Sequence, residues 1–199
     1  VSDATFIVSA NDTYTVTMTD KAGNSNTFDV VVDCINTSYP DVFSTDNVTV
    51  GGVAYADRVS SATAQTVVIS VRDVKGDEKL ADEYAGIKSI TVDGVTDGTF
   101  VPSTGTEYAT FTFQADTNRT YEVSYTNKAG SYKMDTFTLD NYDSVAPAAY
   151  TGLTVGGVDY ANRTVAKTAQ TVAFTMADPA TDAGANAAAT EYSGITELT

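Results

Sequence analysis

The sequence predicts an all-β protein of tandem β-sandwich repeats, and three observations lead to that reading. Thr and Val abound while Leu is scarce and Trp is absent; β-branched side chains pack well on a pleated sheet and crowd a helix. Short stretches alternate apolar with polar residues between Gly, Asn and Asp, the pattern of half-buried strands and tight turns. Two blocks of sequence also return after about 105 residues, the size of one two-sheet domain.

The first block runs Thr49-Val50-Gly51-Gly52-Val53-Ala54-Tyr55-Ala56-Asp57-Arg58 and returns as Thr154-Val155-Gly156-Gly157-Val158-Asp159-Tyr160-Ala161-Asn162-Arg163. The match continues without a gap through Ala64-Gln65-Thr66-Val67 and Ala169-Gln170-Thr171-Val172, and sets Asp73 opposite Asp178. After an acidic loop of different length, Glu83-Tyr84-Ala85-Gly86-Ile87 matches Glu191-Tyr192-Ser193-Gly194-Ile195. The second block is Thr13-Tyr14-Thr15-Val16 with Asp20-Lys21-Ala22-Gly23, which returns as Thr120-Tyr121-Glu122-Val123 with Asn127-Lys128-Ala129-Gly130; Ala4-Thr5-Phe6 likewise matches Ala109-Thr110-Phe111. This order gives the C-terminal half of one repeat over residues 1–38, a complete repeat over 39–143 and the N-terminal half of another over 144–199. The chain is expected to be a window on a longer array. The other reading is that chains polymerise, each half-repeat being completed by a neighbour's strands.

Within the complete repeat, Val48 to Val50 and Val53 to Tyr55 flank Gly51-Gly52, a two-residue hairpin turn in which both residues are free to take positive φ. Thr66 to Val71 sets Val67, Ile69 and Val71 against Thr66, Val68 and Ser70, with β-branched residues on both faces as a central strand requires. Gly86 to Val92 supplies Ile87, Ile90 and Val92 before Asp93-Gly94 turns the chain, and Tyr108 to Phe113 alternates Thr with Phe. Thr120 to Tyr125 and Tyr132 to Leu139 form a hairpin across Asn127-Lys128-Ala129-Gly130, closed by a left-handed glycine. Tyr14 and Tyr121 open the same strand in the two copies, where a Tyr resembles the tyrosine corner that ties its hydroxyl to the backbone just upstream. Asp33 to Ser44, with Pro40, and Asp140 to Ala149, with Pro147, read as short stiff linkers.

The net charge of −15 and the pI near 4.1 describe a surface that repels duplex nucleic acid and anionic membranes, so neither is an expected partner. Cys34 is the single cysteine, which rules out an intrachain disulfide. A secreted animal domain of this size would usually carry bridges, so their absence fits a bacterial or archaeal surface protein. No apolar run approaches the ~18 residues of a membrane span, and no basic region precedes an apolar run as in a signal peptide. Any targeting signal or anchor is expected outside these residues.

Several of these segments carry a family resemblance. Tyr14-Thr15-Val16-Thr17-Met18-Thr19-Asp20-Lys21-Ala22-Gly23-Asn24, the Ser193-Gly194-Ile195 step with its counterpart Ala85-Gly86-Ile87, and Val145-Ala146-Pro147 together resemble the bacterial immunoglobulin-like (Ig-like) repeats of large cell-surface proteins and adhesins. The likeness covers essentially the whole chain. It implies all-β, tandem immunoglobulin-like β-sandwich repeats that serve as stalks projecting a binding tip, or as modules that bind glycans or host proteins. The motifs are turns and core positions, so they specify a fold far better than a function. The long acidic loop before the Gly-Ile step departs from the family pattern.

The residue inventory excludes much chemistry. With no His, neither a Ser-His-Asp nor a Cys-His catalytic set can form, nor any His-containing metal site. Cys34 alone cannot build a thiolate site and is expected to be a small buried or half-buried residue. Phosphate-loop and dinucleotide glycine patterns are missing. Asp73, Asp77, Glu78, Asp82 and Glu83 share one loop, and Asp178, Asp182 and Glu191 take the same place in the last repeat. Hard cations take several oxygens at that density, which makes Asp73, Asp77, Asp82, Glu83 and Asp178 candidate Ca²⁺ ligands. The alternative is a solvated acidic loop, since Lys75 and Lys79 interrupt the run and its spacing matches no defined calcium loop. Asn11, Asn36, Asn47, Asn118 and Asn162 begin Asn-x-Ser/Thr sequons, read as polar strand ends or, in a glycosylating source, as acceptors. Lys88 and Lys133 lie in predicted strands, where a buried lysine could enter a Lys–Asn isopeptide bond.

The expected function is therefore a non-catalytic structural or stalk segment of an extracellular cell-surface protein or adhesin, with no enzymatic activity, no cofactor beyond Ca²⁺, and adjacent Ig-like repeats of the same protein as partners. Two other readings stay open. One is a module whose loops bind a surface glycan or protein, with Tyr55 and Tyr160 as aromatic candidates whose matched positions suit a core. The other is a self-assembling fibre or surface-layer subunit, a homo-polymer.

Overall fold

Strands of β-branched residues must find hydrogen-bond partners for their backbone groups, and here they find them in antiparallel sheets. The computed structural model describes residues 3–76, 79, 84–103, 108–178, 195, 197 and 198. Over these residues the chain is all-β. The strands are β1 (Asp12–Thr19), β2 (Ser25–Val32), β3 (Val48–Val50), β4 (Val53–Ala54), β5 (Gln65–Val71), β6 (Ile87–Val92), β7 (Thr99–Val101), β8 (Ala109–Ala115), β9 (Arg119–Asn127), β10 (Tyr132–Leu139), β11 (Thr151–Val155), β12 (Val158–Asp159) and β13 (Val172–Thr175). Single 3-10 turns occupy Thr45–Asn47, Tyr55–Asp57 and Tyr160–Asn162. The strand orders are β1-β2, β10-β9-β6, β4-β3-β5-β8-β7 and β12-β11-β13. The chain forms two compact units, one of Val1–Asp57, Thr66–Gln114 and Tyr121–Phe137, the other of Arg58–Gln65, Ala115–Thr120 and Thr138–Thr199.

In the first unit the predicted alternation of β5 holds. Val67, Ile69 and Val71 are buried, Val68 and Ser70 are half-buried, and Thr66 faces out. The strand is central, and its register with β3 sets Val48 opposite Ile69 and Val50 opposite Val67, so four β-branched side chains cover one face. Ala109, Phe111 and Phe113 on β8 and Tyr121, Val123 and Tyr125 on β9 point inward by the same period of two. Aromatic rings link these strands. Phe113 lies 5.4 Å from Tyr121, which stacks on Phe137 of β10 at 5.4 Å and 17°. Phe43 at 6.1 Å and Tyr55 at 6.3 Å close on the same Phe137. Offset and tilted pairs of this kind contribute about 0.5–1.5 kcal/mol each beyond the area they bury.

The Gly51-Gly52 turn takes the expected form, with φ of 60° and 86° joining Val50 to Val53 across β3 and β4. Positive φ at both central residues matches the twist of the flanking strands. In the second unit Gly156-Gly157 repeats it with φ of 62° and 80° between β11 and β12. There β13 pairs with β11, and Tyr150 packs edge-on against Phe174 at 5.9 Å.

Pro40 is not in a free linker: it is buried and forms an antiparallel bridge with Asp73, while the Asp41 N–H donates to the Arg72 carbonyl at 3.0 Å. A proline has no N–H to offer, so it suits the margin of a sheet. Strand β7 was not foreseen. It has three residues and pairs with β8 through Phe100 and Phe111. Tyr55 leaves its predicted strand for a 3-10 turn, and β9 extends to Asn127. Lys88 is exposed and Lys133 only half-buried, which removes the setting that an isopeptide lysine needs.

Gly98, just before β7, lies against the Phe111 ring so closely that an added Cβ would overlap the ring's Cζ. Phe111 is itself held between strands, so the ring cannot withdraw without opening the core. Gly98→Ala is expected to destabilise the protein by about 1–3 kcal/mol, the usual cost of overpacking. Urea unfolding followed by circular dichroism measures this; an unchanged midpoint would mean that the ring has room to move.

Candidate functional site

The sequence singled out the acidic residues beside β5, and the structure gives Asp73 a clear occupation. Its carboxylate is buried. One oxygen accepts the Gly86 N–H at 3.0 Å and the other accepts from the Asn127 side-chain amide at 3.3 Å. Gly86 has φ +79°, where a side chain would be strained, and its carbonyl accepts the Lys128 N–H at 2.9 Å. The next residue, Ile87, donates its N–H to the Ser103 hydroxyl at 3.0 Å. The Ala85-Gly86-Ile87 step is thus a backbone kink held by side-chain acceptors, with Asp73 the charged one. Asp178 is half-buried in the second unit. Asp77, Asp82 and Glu83 lie outside the described residues, as do Glu78, Asp182 and Glu191. No group of three or more metal-ligating side chains occurs among the described residues.

Asn127 extends the network. It is fully buried at the end of β9. Its amide nitrogen also donates to the Ser38 carbonyl at 2.9 Å, and its oxygen accepts the Ser131 N–H at 2.9 Å across the hairpin turn. Two residues earlier, the Tyr125 hydroxyl donates to Asp135 at 2.7 Å and reaches the Asp41 carbonyl at 3.1 Å. Burial foremost, and then the Asp135 carboxylate, raise the Tyr125 pKa well above 10, so the phenol stays a donor. Asp41 in turn accepts from the Arg72 guanidinium at 2.8 Å, which holds its carboxyl below the usual 3.8. Arg72 also lies over the Tyr108 ring, 5.5 Å from its centre. Residues 38 to 41 are therefore bonded to β9 and to Arg72 and Asp73, just after β5.

Two of the sequon asparagines have a structural task that the sequence did not reveal. Asn11 is buried; its amide donates to the Ile35 carbonyl and accepts from the Ile35 N–H, both at 2.8 Å. Asn118, in the second unit, makes the same pair of bonds to Tyr142, at 2.7 and 2.9 Å. In each case the side-chain amide reads both backbone groups of a residue 24 positions on. A glycan on either nitrogen would remove the bond and could not fit. Asn36 and Asn47 are half-buried, and Asn36 accepts the Ser38 N–H at 2.7 Å; Asn162 is exposed in its 3-10 turn. The sequence marked both residues only as sequon asparagines; the fold says what they bond.

The remaining expectations divide. The Tyr14 hydroxyl donates to the Ala10 carbonyl at 2.7 Å, the bond of a tyrosine corner. Tyr121 is a buried core ring, and Tyr55 packs on Phe137. Tyr160 is not buried in a core: it is exposed, with Arg163 lying 3.8 Å over its ring. Cys34 is exposed, contrary to expectation, two residues past the end of β2.

Removing the Asn118 amide takes the partners from the part-buried N–H and carbonyl of Tyr142, each at about 1–3 kcal/mol. Asn118→Ala is therefore expected to cost about 2–5 kcal/mol in thermal or urea unfolding; a loss below ~1 kcal/mol would show that water replaces the clamp. The Asp41 carboxyl has a lowered folded pKa, so what it contributes is present above the unfolded value near 3.8 and is lost as pH falls through the folded one. In Arg72→Gln that acid-side loss should shrink. Melting temperatures between about pH 5 and pH 2 test this, and an identical acid limb in both proteins would refute it.

The chain matches no protein-family model, no curated protein and no solved structure.

Proposed function

We propose that the chain is a non-catalytic structural segment of an extracellular cell-surface protein or adhesin, built from tandem Ig-like β-sandwich repeats. The observation that carries this reading is the way the two connecting segments are tied down at matched positions. Ile35 and Tyr142 are clamped by Asn11 and Asn118. One residue on, Asn36 and Asp143 each close a turn onto the N–H two positions later. Asp41 and Ala148 then donate to the carbonyls of Arg72 and Ala177 at 3.0 and 2.8 Å. A connector bonded this often has little freedom to swing, which is what a load-bearing spacer requires and a tethered binding module does not. The strand orders β4-β3-β5-β8-β7 and β10-β9-β6 support the fold side of the reading, since, apart from the two-residue β4 added at the edge, they follow the four- and three-stranded sheets of a constant-type immunoglobulin sandwich.

Hydrogen exchange at single-amide resolution tests the spacer. Ile35, Asp41, Asp143 and Ala148 N–H groups should exchange at least ~100-fold more slowly than in an unstructured peptide. Unprotected connectors would replace the spacer with domains on loose tethers. Antibodies against residues 39–143 should label intact cells of the source organism, and labelling only after lysis would remove the surface assignment.

A further inference from the structure

We propose that Asn162 is the acceptor of an N-linked glycan. The inference rests on the extracellular reading above, because this modification belongs to chains that leave the cytoplasm. The sequence holds five Asn-x-Ser/Thr sequons, and the fold sorts them. Asn11 and Asn118 have both amide atoms bonded to a backbone residue. Asn36 has its Nδ2 closed off from solvent while its oxygen accepts the Ser38 N–H. Asn47 is half-buried, and the rest of its sequon opens β3: Val48 is fully buried, and Thr49 pairs with Ala54 on one side and Val68 on the other. An enzyme that grips an acceptor amide and the hydroxyl two residues on needs that stretch of backbone free, and here the sheet holds it from both sides.

Asn162 differs on every count. It ends the 3-10 turn Tyr160–Asn162, which the Asp159 carboxylate closes by accepting the Ala161 N–H at 2.9 Å. Arg163 leaves that turn with φ −59° and ψ 142°, an extended conformation, and Thr164 follows outside any strand. Asn162, Arg163 and Thr164 are all exposed. Among the described residues no hydrogen bond holds the Asn162 side chain. An open, extended Asn-x-Thr on a surface loop is what the acceptor pattern requires.

The complete repeat shows that the position stays open in a finished sandwich. There the counterparts of Asn162, Arg163 and Thr164 are Asp57, Arg58 and Val59. Arg58 is turned to Asp140, which it holds at 2.7 Å, while Asp57 and Val59 on either side of it are exposed. The middle residue thus ties the segment down, and the two that would form the sequon face out. The fold accepts Asp and Val there, so it asks for neither Asn nor Thr. At Asn11 and Asn118 the clamp explains the asparagine; at Asn162 no structural task does.

The donor implied is an oligosaccharide linked through phosphate to a lipid. Transfer forms a bond from the Asn162 Nδ2 to the anomeric carbon of the first sugar. The bond from that carbon to the phosphate oxygen breaks, the lipid phosphate leaves with the electron pair, and the amide gives one proton to the transferase. No atom is oxidised or reduced.

Mass spectrometry of peptides covering the five sequons, cut from the full protein isolated from its source cells, tests this. The Asn162 peptide should carry a sugar chain and the Asn11, Asn36, Asn47 and Asn118 peptides none. Asn162→Asp and Thr164→Val, each made in the same cells, should lose the modification completely. Each restores the residue that the complete repeat carries, so neither should disturb the fold. A bare Asn162 peptide overturns the proposal, and so does a glycan on one of the other four in its place or one that survives Thr164→Val. Intact cells labelled by antibody with a bare Asn162 peptide would leave the surface reading standing while this one falls.

Discussion

A backbone group buried between strands must find its partner inside the protein, and at the point where the chain leaves β10 that partner is the side-chain amide of Asn118. The amide is a peptide group in miniature, one donor and one acceptor in a plane, so it can pair with both groups of Tyr142 as a neighbouring strand would. With Tyr142 fixed, the residues on either side fall into place. Ser61 donates to the Asn141 carbonyl and accepts from the Asp143 N–H, both at 2.9 Å. The Asn141 amide reaches back to Val59 and Gln65, and Asp140 receives Arg58. One side chain thus sets the exit path of a whole segment. The same choice made at Asn11 sets the exit from β2.

The core in the first unit shows how polar residues are admitted. Along its inward side β9 reads Tyr121, Val123, Tyr125 and Asn127, all buried. The first two are covered by carbon. The last two carry polar atoms, and these are bonded: Tyr125 to Asp135 and Asp41, Asn127 to Ser38, Asp73 and Ser131. A buried polar network stabilises only when it is satisfied throughout. Two of its partners, the Ser38 and Asp41 carbonyls, lie in the stretch from Ser38 to Asp41, so bonds that satisfy the end of β9 also fasten the incoming chain.

What the sequence made legible was local or repeated. The alternation of β5, the Gly51-Gly52 turn and the hairpin ending at Gly130 depend on neighbours a few residues apart, and each could be read directly. Pro40, Asn118 and Asp73 could not, because their roles depend on partners 13 to 54 positions distant. Pro40 carried the composition of a linker and proved to be a sheet margin. Asn11 and Asn118 carried the pattern of glycan acceptors for a structural reason: the clamp residue immediately precedes a strand, and the Thr two positions on is an outward residue of that strand. Asp73 was legible as an acid in a charged loop, but not as the acceptor that holds Gly86.

The two copies of the β-hairpin turn show what burial asks of one side chain. Asp20 and Asn127 both accept from the backbone N–H four residues on, at 2.8 and 2.9 Å, and both donate their own N–H to the facing carbonyl. The turn itself therefore tolerates either residue. Asp20 is exposed, and its second oxygen takes the Asn24 amide, which with the backbone donors lowers its pKa. Asn127 is buried beside the Asp73 carboxylate. A second carboxylate there would place two charges together in a dry setting and leave the Ser38 carbonyl without its donor. The amide keeps the acceptor that the turn needs and adds the donors that the interior needs. The change from Asp to Asn between otherwise matching turns thus follows the change from solvent to core.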